Sequence, residues 1–268
     1  MNRIRAALLA LCLLFSLTGC ALQSPNTPQP TPEPDPVITP EPLPEPQPEP
    51  QPEPAPVVPD PVPMPNPVLR VSEKTESAVL GSTPVTITQP VVELQNTSAA
   101  EIIHQYFSML SGKVRDYAEG DLALQPGVSC TVTAGHTLTY SSASALSFLW
   151  TVETATSSPE LPGSTTVSAV TFDPVTGLLL TFRDVFGDKS GTARDLFIAK
   201  ARTVIAQRAA DHYYFEGWNE LAASGLDESC YYLTETGVCL FYPRETLGTY
   251  TEVPLTWDEL SACLAITP

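Results

Sequence analysis

One proline-rich segment decides how much of this chain can form a core. Of the 29 prolines, 20 lie between Pro25 and Pro67, with no aromatic residue in that stretch. Proline fixes φ and removes a backbone donor, so alternating prolines favour extended polyproline II. Such a tract buries too little apolar surface to offset the entropy of ordering. The segment 70–268 is therefore predicted to fold, and the segment before it is not.

The charge is also distributed unevenly along the chain. Its formal net charge is −17, from 13 basic and 30 acidic residues. Residues 1–19 carry +2, residues 20–69 carry −7, and residues 70–268 carry −12, from 11 basic and 23 acidic residues. A domain with a net charge of −12 repels a phosphate backbone, so no nucleic-acid partner is expected. A basic partner is attracted, although acidity also simply keeps a secreted domain soluble.

The first twenty residues have the pattern of a secretory signal. Arg3 and Arg5 precede about a dozen mostly apolar residues, a run too short to span a membrane. The ending Leu17-Thr-Gly-Cys20 resembles the bacterial lipobox, which implies that Cys20 carries a diacylglyceryl group. Two acyl chains anchor a protein firmly where one does not. An ordinary signal peptide cleaved nearby is the alternative.

These patterns predict three parts. Residues 1–19 are a lipoprotein signal peptide, and residues 20–69 are the lipidated cysteine with a Pro/Glu-rich spacer of up to roughly 140 Å. Residues 70–268 are the folded domain. The predicted location is extracytoplasmic, lipid-anchored to the outer face of the cell membrane.

Hydrophobic periodicity predicts an α+β domain with a largely antiparallel sheet, two longer helices and a short C-terminal helix. One helix is expected after a capping box of Ser98 with Glu101, and another from Thr192 with Asp195. Thr256 with Glu259 is expected to cap the last helix. Pro90 indicates an edge or a bulge. Strands are predicted at 84–94, 129–140, 145–153, 165–172, 178–182, 231–234, 238–242 and 249–253.

Two segments resemble a known family. FDPVTGLLLTFRDVF (172–186) and YLTETGVCLFYPRETLGTYTEVPLTWDEL (232–260) resemble the extracytoplasmic domain of lysozyme-sensing anti-sigma-V factors, the RsiV-like or DUF3298 domain. Residues 89–106 are similar to the start of its companion domain, DUF4163, which some peptidoglycan deacetylases also carry. The resemblance spans roughly 84–264. It implies a domain that binds a lysozyme-like cationic protein.

The chain departs from this family in two places. Family members often carry a Gly-Gly-Ala-His-like segment, whereas TSSPELPG (156–163) has no histidine here. The sequence also shows no cytoplasmic domain and no spanning helix, so the chain is not expected to hold a sigma factor itself. Signalling would then need a partner.

Four cysteines remain after processing: Cys130, Cys230, Cys239 and Cys263. Outside the cytoplasm an even number predicts one or two disulfides, with three possible full pairings. Cys230 and Cys239 flank a short turn, and Cys130 with Cys263 would then join an early strand to the last helix. Free buried thiols are the alternative.

Neither a catalytic nor a metal site is predicted. His104, His136 and His212 lack the His-x-x-x-His spacing of hydrolytic zinc sites, and no Gly-x-Ser-x-Gly elbow occurs. No cofactor is expected.

The densest aromatic group is Tyr213, Tyr214, Phe215 and Trp218. Four aromatics this close cannot all face inward from one helical turn. Core packing accounts for most of them, and a binding surface at Tyr213, Tyr214 and Trp218 is the alternative.

The favoured function is therefore that of a lipid-anchored surface protein that binds a ligand, not an enzyme. The ligand is a lysozyme-like basic protein or a cell-wall component such as peptidoglycan, in envelope sensing or protection. The alternatives are a cell-wall modifying enzyme or its accessory, or an unrecognised hydrolase, and a passive envelope assembly component.

Overall fold

A computed structural model describes residues 66–122, 127–160 and 163–267 of the chain. The predicted signal peptide, Cys20 and nearly all of the predicted spacer lie outside these residues. No helix within the described ranges is long and apolar enough to cross a membrane.

The described residues form eight strands in two sheets, with two long and four short helices. The strands are β1 Val68–Leu80, β2 Thr83–Leu94, β3 Cys130–Ser141, β4 Leu146–Thr156, β5 Ser164–Phe172, β6 Tyr231–Thr234, β7 Gly237–Tyr242 and β8 Thr251–Thr256. The helices are α1 Thr97–Glu119, α2 Phe182–Phe186, α3 Ser190–Arg208, α4 Trp218–Ser224, α5 Arg244–Leu247 and α6 Trp257–Leu260, with a 3-10 turn at Gly187–Lys189.

The larger sheet has the order β1-β2-β3-β4-β5, and the smaller has the order β6-β7-β8. Every neighbouring pair is antiparallel except β2 and β3, which run parallel over only three residue pairs. Helix α1 makes the crossover that a parallel pair requires. The predicted α+β class with a largely antiparallel sheet is confirmed.

The first core lies between α1 and the inner face of the larger sheet. Phe107 of α1 is fully buried, with its ring centroid 5.2 Å from that of Phe148 and 5.8 Å from that of Trp150. The alternation of Phe148 and Trp150 along β4 directs both side chains to this face. The larger sheet thus presents its inner face to one helix.

The second core lies between α2, α3 and the smaller sheet, and includes Phe182, Phe197 and Leu240. The opposite face of the smaller sheet packs on the outer face of β4 and β5, where Tyr232 and Phe241 meet Leu149 and Val167 among others. The outer face of the larger sheet is therefore partly covered.

A fully buried serine joins the two sheets. Ser147 Oγ accepts a hydrogen bond of 3.0 Å from the backbone N–H of Leu233 and shares one of 2.9 Å with Thr171 Oγ1. A buried amide left without an acceptor is costly, so this hydroxyl fixes β6 against β4.

The helix starts show where the predicted capping was right and wrong. Thr256 and Glu259 form the predicted capping box. Helix α1 is instead capped by Asn96, whose Oδ1 accepts from the N–H groups of Ser98 and Ala99, so the predicted Ser98 cap was wrong. Helix α3 begins at Ser190 without a side-chain cap, two residues before the predicted start.

The predicted strand at 178–182 was also wrong. Only one isolated bridge forms there, between Phe172 and Leu179. Thr181 and Asp184 then make a capping box that starts α2, because the Thr181 side chain satisfies a helix N-terminus more readily than it continues a strand.

Pro90 lies in β2, which is an interior strand and not an edge. The parallel ladder between β2 and β3 covers only residues 85–87 of β2. Pro90 pairs across from Glu73 of β1 beyond that ladder, so its missing N–H interrupts no pairing with β3.

Candidate functional site

The predicted aromatic surface divides into an exposed pair and a packed pair. Tyr213 is 70% exposed and Phe215 is 36% exposed, with ring centroids 5.8 Å apart in an edge-to-face arrangement. Tyr214 and Trp218 are half-buried and pack on the second core. Tyr213 therefore lies at the surface as the hypothesis requires, but its exposed neighbour is Phe215, which the sequence analysis left outside the candidate surface.

The exposed pair lies on a backbone turn. Gly248 has φ of +90°, and a Cβ there would come within 3.2 Å of the Tyr213 ring. Thr249 Oγ1 donates to the Tyr213 carbonyl at 2.5 Å, and the Phe215 N–H donates to the Leu247 carbonyl at 2.9 Å. These contacts hold the two rings over the turn, so this pair is packed locally.

The four cysteines are free thiols in the structure, and neither expected bridge is formed. Cys130 belongs to the first core and Cys263 to the second, so the two are buried in different clusters. Cys239 pairs across from Tyr232, and the Cys230 carbonyl accepts from the Phe241 N–H. Cys230 and Cys239 are therefore diagonal neighbours across the hairpin and not directly opposed.

Burial is the main influence on the two hairpin thiols. It raises the pKa of Cys230 and of Cys239 to about 11. Because the thiolate is the reactive form, both are poor nucleophiles at neutral pH. We expect slow alkylation of both by iodoacetamide at pH 8 and faster reaction as the pH rises towards 11, measured by mass spectrometry.

The three histidines lie apart and make different contacts. His104 Nε2 accepts a 2.9 Å hydrogen bond from the Val92 N–H, which requires the proton of the neutral ring to be on Nδ1. The side chain of His136 is only 3% exposed, and its Nδ1 lies 3.3 Å from the Thr88 carbonyl. His212 is exposed beyond the end of α3. Among the described residues no group of three or more His, Cys, Asp or Glu side chains is arranged to hold a metal ion.

The feature that the sequence analysis missed is the edge of the larger sheet at β5. The strand reads STTVSAVTF, without a charged residue or a proline, and among the described strands it pairs with β4 alone. Its β-branched and aromatic content explains why it is a strand. Charges, prolines and bulges normally protect an edge from added strands, and β5 has none of them.

The C-terminal end of this edge is covered. The Leu180 N–H donates to the Thr171 carbonyl at 2.8 Å, and the Asp173 N–H to the Leu178 carbonyl at 2.8 Å. Gly177, with φ of +75°, closes the turn against the backbone of Ala99 in α1. The edge is therefore closed from Thr171 onwards.

The rest of the edge is open among the described residues, and the backbone pattern shows which of its groups point outwards. In an antiparallel strand alternate residues direct both N–H and C=O to the same side. Because the Thr171 carbonyl points away from β4, the backbone groups of Thr165, Val167 and Ala169 point the same way. Among the described residues, no hydrogen bond outside the ladder with β4 reaches the backbone of 164–170.

Two cavities with lining residues from α1 adjoin β5. One of about 350 Å³ lies between α1 and the sheet. Its mostly apolar walls include Leu110, Tyr117 and Trp150, with Lys113 the charged group in its lining. The other, of about 340 Å³, adjoins the covered end and includes Tyr106 and Leu179 in its lining.

Two further cavities, each of about 460 Å³ and more polar than the first two, adjoin β5 on the face of the sheet away from α1. The charged groups in their linings are Glu153, Glu245 and Arg244. Glu153 lies opposite Thr165 in the β4–β5 register. Threonine hydroxyls supply much of the remaining polar surface. Four cavities in the described structure thus border one uncharged strand.

Tyr250, at the wall of one polar cavity, belongs to a cluster around Glu252. The Tyr232 and Tyr250 hydroxyls donate to Glu252 Oε1 at 3.0 and 3.1 Å. Burial, reinforced by the Glu252 carboxylate, raises the pKa of Tyr250 above its ordinary value. Both phenols are therefore protonated donors at neutral pH, and the cluster is a fixed wall of the cavity.

Comparison with known proteins supports the fold. The structure is similar to that of a DUF3298 family member from Bacteroides fragilis, with a TM-score of 0.51 at 13% sequence identity, covering 74% of this chain and 94% of that one. A DUF3298 family protein from Pseudomonas aeruginosa is also matched, with a TM-score of 0.46 at 11% identity, covering 73% and 94%. No protein-family model and no curated protein matches the sequence. The chain therefore has a fold like that of a DUF3298 protein.

Proposed function

We propose that this chain is a membrane-anchored surface lipoprotein whose extracytoplasmic domain binds a basic protein ligand of the lysozyme type. The observation that carries the proposal is an open, uncharged edge strand bordered by cavities in a domain with 23 acidic and 11 basic residues. The resemblance to lysozyme-sensing domains supports the ligand class, and the similarity of the fold to DUF3298 proteins is consistent with it.

The ion pairs leave most of the acidic charge uncompensated. Lys74 and Arg115 pair with Glu76, Arg194 pairs with Glu228, and Lys200 pairs with Glu259. These pairs engage three of the 23 carboxylates in 70–268. The remaining negative field accelerates encounter with a cationic protein.

Binding is tested by biolayer interferometry of the full chain with hen egg-white lysozyme over a series of salt concentrations. We expect saturable binding with an association rate that falls as ionic strength rises, because salt screens the attraction. An acidic protein of similar size serves as the control ligand. Absence of salt-sensitive lysozyme binding removes this ligand class.

The anchor is tested separately. We expect the Cys20→Ala variant to leave the membrane fraction on washing, because it has no residue to receive two acyl chains. A variant that stays membrane-bound after a high-salt wash contradicts the lipoprotein assignment, whatever the outcome with lysozyme.

A further inference from the structure

We propose that the open edge of β5, residues 164–170, is a strand-addition site for an extended segment of a basic partner protein. The basic character of the partner rests on the proposed function, whereas the strand-addition geometry rests on β5 itself. Nothing in the family resemblance assigns this edge a role.

The backbone provides the first requirement. Thr165, Val167 and Ala169 direct their N–H and C=O groups away from β4, and no described residue satisfies them. An added strand about 4.8 Å away would pair with all three residues. In such complexes main-chain hydrogen bonds supply affinity, and pockets for alternate side chains supply specificity.

The apolar cavity on the side of α1 provides the second requirement. Side chains of an added strand alternate between the two faces of the sheet, so every second one points towards the walls formed by Leu110, Tyr117 and Trp150. Apolar side chains suit this face. The ammonium group of Lys113 disfavours a basic residue there.

The opposite face selects different side chains. Glu153 and Glu245 lie in the linings of its two cavities, and Arg244 is the opposing charge. Glu153 forms no ion pair or hydrogen bond with the described residues. Polar or basic side chains suit this face, so the preferred segment alternates apolar residues with basic ones.

Two other occupants of this edge are conceivable, a second copy of the domain and the proline-rich segment of the same chain. The charge of the domain favours a basic segment of another protein over both. A second copy of the domain also has a net charge of −12, and the repulsion between the two copies opposes association. The proline-rich segment 25–67 of this chain carries seven acidic residues and no basic one, so the negative field of the domain opposes its addition as well. A basic segment is attracted by the same field that opposes self-pairing.

The test uses a probe that is independent of lysozyme: the capped peptide Val-Lys-Val-Lys-Val-Lys-Val, and a control peptide of the same sequence and charge in which every internal backbone nitrogen is methylated. We expect the first to bind the full chain and to slow amide hydrogen exchange in 164–170. The control peptide should bind at least about tenfold more weakly, since it lacks the donors.

Two pairs of variants locate the site. Thr165→Pro removes one outward N–H at an exposed position, while Thr165→Val keeps it with similar volume. Ser168→Lys places a charge on the open edge, while Ala78→Lys places the same charge on β1. We expect Thr165→Pro and Ser168→Lys to weaken peptide binding at least about tenfold. Thr165→Val should weaken it clearly less than Thr165→Pro because it keeps the N–H, and Ala78→Lys should leave it within about twofold.

The outcomes separate this inference from the proposed function. Lysozyme binding that is unaffected by the β5 variants, with no slowed exchange in 164–170, overturns the β5 assignment and leaves the proposed function standing. Peptide protection at 164–170 without lysozyme binding supports the edge and removes lysozyme as the ligand. Equal binding of the two peptides, or dimerisation through β5 in sedimentation, overturns the proposal.

Discussion

The two edges of the five-stranded sheet are built differently. Strand β1 has 13 residues, among them Arg70, Glu73, Lys74 and Glu76. Strand β5 has nine residues and no charge. Charged side chains are a common protection against edge-to-edge pairing. The molecule therefore protects one edge and leaves the other open beside cavities, which is the contrast that the strand-addition proposal explains.

The largest expected effect comes from opening the covered end of β5. In Gly177→Ala the new Cβ would clash with the Ala99 backbone, and the alanine backbone would be held at a positive φ. We expect a loss of about 3 kcal/mol in the free energy of unfolding, measured by urea denaturation. Gly112→Ala is the control, because a Cβ there meets nothing within 4 Å and the helix gains stability. Equal changes in both variants would show that the turn does not hold β5.

The next effect tests how β5 and β4 are held to the smaller sheet. Ser147→Ala leaves the buried Leu233 N–H without its acceptor. We expect a loss of about 2 kcal/mol in the free energy of unfolding. Ser168→Ala, on the exposed part of β5, should change it by less than about 0.5 kcal/mol. An unchanged Ser147→Ala variant would mean that the hydroxyl bridge contributes nothing to joining the sheets.

A third experiment removes the contrast by making β1 resemble β5. Replacing Glu73, Lys74 and Glu76 together by threonine leaves Arg70 as the one charged residue of β1. We expect the variant to self-associate more than the wild-type chain, with its weight-average mass higher by about half or more at high protein concentration in sedimentation experiments. The charge-preserving Lys74→Arg variant should remain like wild type. If the triple variant does not associate, charge is not what protects β1.

The smallest effect concerns the titration of Glu76. The Lys74 ammonium lies 2.7 Å from this carboxylate and, with Arg115, holds its pKa below the ordinary 4.5. A lowered pKa contributes stability at neutral pH that is lost as the pH falls through the folded-state value. We expect Lys74→Met to raise the pKa of Glu76 towards 4.5 in an NMR titration. A pKa that stays unchanged would assign the shift to Arg115 alone.

Local patterns predicted most of the elements correctly. Alternation placed Phe148 and Trp150 on one face of β4, and the structure buries both. The Thr256–Glu259 capping box is formed as predicted, because both partners lie within four residues of each other. Where sequence neighbours decide the conformation, the prediction was reliable.

Nonlocal pairing could not be predicted in the same way. Strand β1 was missed because its charged, exposed residues lack the alternation of a half-buried strand, and it is held by its long ladder with β2. The open edge was missed for a related reason. The uncharged run in 164–172 is visible in the sequence, but only the strand order shows that β5 is terminal.

The larger sheet is synthesised before the smaller sheet that covers part of it, and this order matters during biogenesis. Strand β5 ends at Phe172 and β6 begins only at Tyr231, so Leu149 and Val167 emerge before Tyr232 and Phe241 can cover them. During synthesis the N-terminal sheet therefore exposes an apolar outer face beside an uncharged edge, the kind of surface that chaperones shield. A chain that stops before β6 would keep that face uncovered and would be prone to aggregate.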